Sequence, residues 1–190
     1  MAILSKRDPL YKELMATKGK AEIINDKIVV LKAMGFLPAR AAGAVLFSLV
    51  KYEKQGGNGE VYGGTVGFLC DLPNRRSFSP DAAFYTGSDQ EDDMKFLPEA
   101  PIFAVEVRSE NDYGRRAEAA IAQKIADYFA AGTLVVWDVD LLHDEIISKF
   151  TAPDANIPQF FRRGDVADAG NAVPGWMFAV DTLFPATRRN

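Results

Sequence analysis

Between Pro101 and Val139 the chain reads strand, helix, strand, and that order constrains the fold more than any other feature. Pro101 to Arg108, P-I-F-A-V-E-V-R, is apolar on both sets of alternating positions, which marks a central strand rather than an edge. The spacing predicts a helix from about Gly114 to Ala131, stopped by Gly132. Thr133 to Val139, T-L-V-V-W-D-V, is a second buried strand, and the few residues between Gly132 and Asp140 leave no room for another helix. Two buried strands joined by a helix form a βαβ unit, whose strands lie parallel and whose crossover is right-handed. The predicted class is therefore α/β, with a central mixed sheet flanked by helices.

The remaining segments fit around this unit. Residues 1–20 are polar with Tyr11, Leu14 and Met15 at helical spacing, and are read as an N-terminal helix or arm ahead of one domain spanning residues 21–190. Glu22 to Leu31 holds two β-branched runs around Asn25-Asp26-Lys27, a hairpin signal. After Pro38, placed as a first-turn residue, Ala42, Val45, Leu46, Leu49 and Val50 form one apolar helical face that ends at Gly56-Gly57. Glu60 to Leu69 and Ser77 to Tyr85 read as two strands joined by a turn at Asp71 to Asn74. Glu145 to Phe150 is a shorter strand able to pair with Thr133 to Val139, and the aromatic tail V-P-G-W-M-F-A-V-D-T-L-F packs back on the body. The acidic run Ser88 to Asp93 reads as a solvated loop.

Composition closes off several functions. A chain of 190 residues, 48% hydrophobic, buries one core. Its most apolar stretch, Ala41 to Val50, is too short for a membrane span, and Lys6, Arg7 and Asp8 interrupt any signal-peptide core, so the expected location is the cytoplasm. Cys70 and His143 are each the only residue of their kind, which excludes a disulfide, a cysteine cluster and a site built on several imidazoles. His143, in a turn, reads as structural or exposed. A net charge of -4 argues against nonspecific coating of nucleic acid, though a local basic patch including Arg162, Arg163, Arg188 and Arg189 remains open.

Three charged residues stand where the pattern calls for apolar ones. Alternation along Ser77 to Tyr85 puts Asp81 mid-strand, sharing a face with Ser79, Ala83 and Tyr85. In the central strand Ala104, Glu106 and Arg108 share a face, and an ionised glutamate buried there needs a cation or donors. On the helix, Lys124 falls inside the apolar arc of Ala117, Ala120, Ile121, Ile125 and Tyr128, so it points toward the sheet. If the helix covers the face bearing Glu106, Lys124 reaches the carboxylates. Two nearby carboxylates suit a hard cation such as Mg²⁺, and a lysine beside them can orient water or stabilise charge on a phosphodiester. The same residues also suit a structural ion pair, with Asp81 and Glu106 held by Arg75, Arg76 or Arg108, and with Lys124 snorkelling to solvent.

The sequence Pro80-Asp81, then A-V-E-V-R-S from Ala104, K-I-A-D-Y-F-A-A-G-T from Lys124 and V-V-W-D-V-D from Val135, resembles the Uma2 family, also known as DUF820. The hairpin at Glu22 to Val30 and the closing V-P-G-W with Leu183-Phe184 extend the likeness over most of the chain. The resemblance implies the PD-(D/E)XK restriction endonuclease-like fold and a Mg²⁺-dependent nuclease acting on DNA as a homodimer. It implies Asp81 and Glu106 as metal ligands, the backbone carbonyl of Val107 as a third, and Lys124 as the catalytic lysine. The general motif expects a lysine two residues after the glutamate, where this chain has Arg108. Two further departures are Glu110, where a proline is common, and Arg40, where many members carry a histidine.

Arg108 is read as a grip on substrate phosphate or as the neutraliser of Glu106; as a permanent cation it is no general base. Arg40 is a second candidate for phosphate binding. Glu22 reads as a solvated hairpin residue or a further carboxylate near the metal, and Asp112, Glu118 and Asp127 as loop or solvent-face residues. Beside the nuclease stand a nuclease acting on RNA or on particular structures, and a catalytically silent domain that binds nucleic acid or a protein.

Overall fold

The computed structural model describes residues 8–87, 94–152, 154 and 157–185. The acidic run 88–93 and Arg188 and Arg189 lie outside the described residues. The elements in order are α1 (Pro9–Ala16), β1 (Ala21–Ile24), β2 (Lys27–Val30), α2 (Phe36–Lys54), β3 (Glu60–Gly63), β4 (Phe68–Leu69), β5 (Ser77–Phe78), β6 (Ala82–Tyr85), β7 (Phe103–Val107), α3 (Arg115–Ala130), β8 (Val135–Val139), β9 (Ile147–Thr151), β10 (Gln159–Phe161), β11 (Val166–Asp168) and β12 (Met177–Ala179). No helix among the described residues is long and apolar enough to cross a membrane.

The βαβ unit is β7-α3-β8, and its strands pair parallel with Glu106 opposite Asp138. Around it a six-stranded mixed sheet runs in the order β10-β9-β8-β7-β6-β3, every other pairing being antiparallel. Helix α2 covers one face, where Ala41, Val45 and Leu49 meet Phe103, Val105, Val107 and Trp137, together with Trp176 and Phe178 from the tail. Helix α3 covers the other, where Ile125 and Tyr128 meet Ala104, Val136 and Phe78. Period-two alternation in β7 therefore sends Val105 and Val107 toward α2 and Ala104 and Glu106 toward α3.

Two local features depart from the pattern expected of the sequence. The segment Glu60 to Leu69 is not one strand: β3 pairs with β6 in the main sheet and β4 with β5 in a separate two-stranded sheet. Ser77 to Tyr85 is likewise split into β5 and β6, with Asp81 at the break instead of mid-strand. Pairing stops after Phe78, because the Ser79 N–H turns to Glu22 and Pro80 carries no N–H for a ladder, and resumes at Ala82. Helix α2 begins at Phe36, which places Pro38 in its first turn as predicted.

The hairpin forms as predicted. Its two loop residues, Asn25 and Asp26, have φ of 50° and 55°, the left-handed pair that a tight hairpin turn matching strand twist requires. One hairpin face packs under α1, with Ile23 against Tyr11 and Leu14. The other presents Lys20, Glu22 and Ile24 to a cavity beside the main sheet.

Candidate active site

Where β6, β7, α3 and the hairpin meet, a cavity of about 600 Å³ opens, lined by Asp81, Glu106, Val107, Lys124, Glu22 and Lys20 among others. Asp81 sits just ahead of β6, its N–H donating to the Val105 carbonyl at 2.9 Å, and its Oδ2 accepts from the Val107 N–H at 2.8 Å. These two backbone bonds fix the carboxylate beside the end of β7. Its other oxygen accepts from Lys20 Nζ at 2.5 Å.

Glu106 projects from β7 toward α3. Its Oε1 accepts from Tyr128 Oη at 2.6 Å and pairs with Lys124 Nζ at 2.8 Å. Burial pushes the Glu106 carboxyl above its ordinary value, and although Lys124 opposes this, the nearby Asp81 adds to it. Tyr128 is itself fully buried and stacked on Phe78, with ring centroids 4.1 Å apart.

Lys124 is shared between two carboxylates, reaching Glu22 Oε1 at 2.9 Å as well as Glu106. Burial would depress its ammonium, but Glu106 and Glu22 outweigh that and hold it above the ordinary lysine value. It is therefore a fixed positive charge near neutral pH, not a proton acceptor. The inward placement that the helical arc predicted is the one observed, and Lys124 does not snorkel.

Glu22 is a buried member of the site, not a solvated hairpin residue. It is 1% exposed, accepts from Arg75 and Lys124, and also accepts from the Ser79 N–H at 2.9 Å. Burial raises its carboxyl, yet Lys124 and Arg75 more than compensate and leave it below the ordinary glutamate range. Arg75, 4% exposed, donates onward to Asp127 Oδ2 at 2.8 Å. Asp127 is thus a buried anchor on α3, not a solvent-face residue. A chain of charges runs from Asp127 through Arg75 and Glu22 to Lys124 and Glu106.

The arginines do not hold Asp81 and Glu106. Arg108 donates to both oxygens of Asp138 at 2.6 to 3.1 Å and to Glu118, and lies 3.7 Å from Asp140. Its partner is Asp138 of β8, the residue opposite Glu106 in the parallel register, and Arg108 makes no bond to Glu106 itself. Asp138 and Glu118 hold its guanidinium above the ordinary arginine value. Arg40 lies exposed on α2 and is not among the cavity's lining residues. His143 is largely exposed and contacts Asp140 at 2.7 Å. Asp112 accepts from the Ser109 N–H in its own loop. Arg162 pairs with Glu145 and Arg163 with Asp181.

A sequence signal for Lys20 existed: strand alternation places Lys20, Glu22 and Ile24 on one face. Nothing in one sequence says which face of a two-stranded hairpin is covered.

A family model described as Uma2, putative restriction endonuclease, matches residues 8–181. The chain belongs to the Uma2 family. A solved structure with the same fold is the putative nuclease belonging to DUF820 from Anabaena variabilis, at 15% identity and a TM-score of 0.69, the match covering 88% of this chain and 91% of that one. No curated protein matches the chain. The Uma2 assignment agrees with the order of motifs in the sequence, and the fold is the nuclease-like mixed sheet those motifs implied.

Proposed function

We propose that this Uma2 protein is a Mg²⁺-dependent endonuclease that hydrolyses phosphodiester bonds in DNA. The observation that carries the reading is the convergence of Asp81, Glu106 and Lys124 on one cavity, with Lys124 2.8 Å from Glu106.

The donor set fits a hard divalent cation. Asp81 and Glu106 supply two carboxylates, and the Val107 backbone, already bonded to Asp81 through its N–H, brings a carbonyl to the same wall of the cavity. Mg²⁺ is ordinarily held by one or two carboxylates and keeps several waters, so this set suffices. Among the described residues no group of three or more His, Cys, Asp or Glu side chains converges as a richer metal site would require. When bound there, the cation would acidify water and neutralise charge on the scissile phosphate.

The chain's own residues do the rest. Asp81 is oriented by the Val107 amide, and Glu106 is held on one oxygen by Tyr128 and Lys124. Lys124, a permanent cation on a packed helix, stabilises negative charge developing on the phosphate and orients the attacking water. Glu22 holds Lys124 through a second ion pair at 2.9 Å. A homodimer would bring two such sites to the two strands of a duplex.

The test is nicking of supercoiled plasmid DNA across a Mg²⁺ titration, with Asp81→Asn and Lys124→Met as comparators. The reading expects nicking by the wild type alone. A second reading, a silent nuclease-like domain that binds nucleic acid, is favoured by one observation: the lysine position of the general motif holds Arg108, fully engaged with Asp138 and Glu118. DNA binding without nicking at any Mg²⁺ concentration would select it.

A further inference from the structure

Among the described residues six cationic side chains line the cavity: Lys20, Lys32, Arg75, Arg108, Arg116 and Lys124. Four are committed to carboxylates. Lys20 is paired with Asp81, Arg75 with Glu22 and Asp127, Arg108 with Asp138 and Glu118, and Lys124 with Glu22 and Glu106. Lys32 and Arg116 are different. Both are exposed, and among the described residues neither forms an ion pair with a carboxylate. They belong to separate elements, Lys32 just past the end of β2 and Arg116 in the first turn of α3. Beside Lys32 the wall is apolar: Val30, 59% exposed, with Leu31 and Met34, all lining the same cavity.

A cation already bonded to a buried carboxylate must lose that bond to take a phosphate, whereas a solvated one releases only counterions. The arrangement of free cations with an exposed apolar shelf suits a ligand that alternates charged and apolar groups, as a nucleic-acid strand does with its phosphates and bases. The volume falls within the range of small-ligand pockets, so the cavity admits the backbone of one strand at a time.

We infer that Lys32 and Arg116 are the phosphate clamp of the site, holding backbone phosphates of a single strand on either side of Asp81 and Glu106, with Val30 and Met34 beneath a sugar or base. The clamp rests on the nuclease reading and gives it a substrate geometry. It also moves substrate binding away from Arg108 and Arg40.

The experiment measures fluorescence anisotropy of a labelled single-stranded oligodeoxynucleotide with Ca²⁺ in place of Mg²⁺, over a series of salt concentrations. Compared are the wild type, Lys32→Ala/Arg116→Ala, and Lys54→Ala as a control from the exposed end of α2, outside the cavity. Each lost phosphate contact removes about 0.7 from the slope of log K against log salt for a single strand, so the double variant's slope falls by about 1.4 and its Kd at 0.1 M salt rises roughly 25-fold. Lys32→Glu/Arg116→Glu is expected to bind more weakly still. An unchanged Kd and slope in the double variant overturns the clamp, as does weaker binding with an unchanged slope. If the wild type nicks plasmid DNA while the double variant binds normally, only the clamp fails. If the wild type binds no nucleic acid, the clamp and the nuclease reading fall together.

Discussion

Removing the Glu22 carboxylate gives the most quantitative test of the charge chain behind the site. Glu22 is 1% exposed and is bonded to Arg75, Lys124 and the Ser79 amide, so Glu22→Ala leaves two cations and a backbone donor short of a partner. Breaking a buried ion pair by deleting one member costs about 3–5 kcal/mol. Arg75 keeps Asp127 and Lys124 keeps Glu106, which places the expected loss near the lower end, about 3 kcal/mol. For a chain of this size, that lowers Tm by roughly 6–12 °C. The pH dependence adds a second, independent check. Because Glu22 titrates below the ordinary glutamate value of 4.5 in the folded state, its stabilisation is full above that pH and is lost as pH falls through the folded value. Urea titrations of wild type and variant, followed by circular dichroism at pH 7 and at pH 3 to 4, measure both effects. A loss under about 1 kcal/mol at pH 7, or a gap between the proteins that does not narrow in acid, would refute the assignment of Glu22 as a buried, charged support.

Glu106 should behave in the opposite sense. Its carboxyl is pushed up by burial, so ionising it costs stability as pH rises from the ordinary value through the folded one, and Glu106→Gln should be at least as stable as wild type at pH 7 while losing divalent-cation affinity. Thermal melts paired with metal titration check this. Lys20→Met removes the ammonium that competes for Asp81, and should tighten Mn²⁺ binding by about five- to tenfold, equivalent to roughly 1 kcal/mol for the lost pair, as read by calorimetry. Arg108→Ala strips the buried Asp138 of its partner and should cost about 3 kcal/mol of stability while leaving Mn²⁺ affinity unchanged, since Arg108 makes its bonds to Asp138 and Glu118.

The βαβ unit was legible because both of its strands are buried on two faces and its helix has a single apolar arc, patterns that local sequence carries unambiguously. That legibility extended to Lys124: the arc that predicts burial of Ile121 and Tyr128 also aims the lysine at β7. Glu22, Lys20, Arg75 and Asp127 were harder, because each lies on a segment whose covered face is decided by a distant element. The hairpin is only two-stranded, and its polar face would be solvated if α3 and the loop bearing Arg75 did not close over it. Asp127 illustrates the same point from the helix side, lying buried because Arg75 arrives from about fifty positions earlier in the chain. The broken strands had a readable signal in Pro80, which ends pairing and leaves Asp81 free to turn its carboxylate to the Val107 amide. Arg108 lies just past the end of β7, and its partner, Asp138, sits on the neighbouring strand β8, which only the tertiary pairing brings alongside.

The most direct test of the metal site is anomalous diffraction from crystals soaked in Mn²⁺, a stand-in for Mg²⁺ with the same preference for oxygen ligands. One peak is expected within bonding distance, about 2.1 Å, of oxygens from both Asp81 and Glu106, with Lys20 withdrawn from Asp81 and Lys124 still on Glu22. Saturating Mn²⁺ with no peak between those two carboxylates, and the Lys20–Asp81 pair intact, would contradict the metal site.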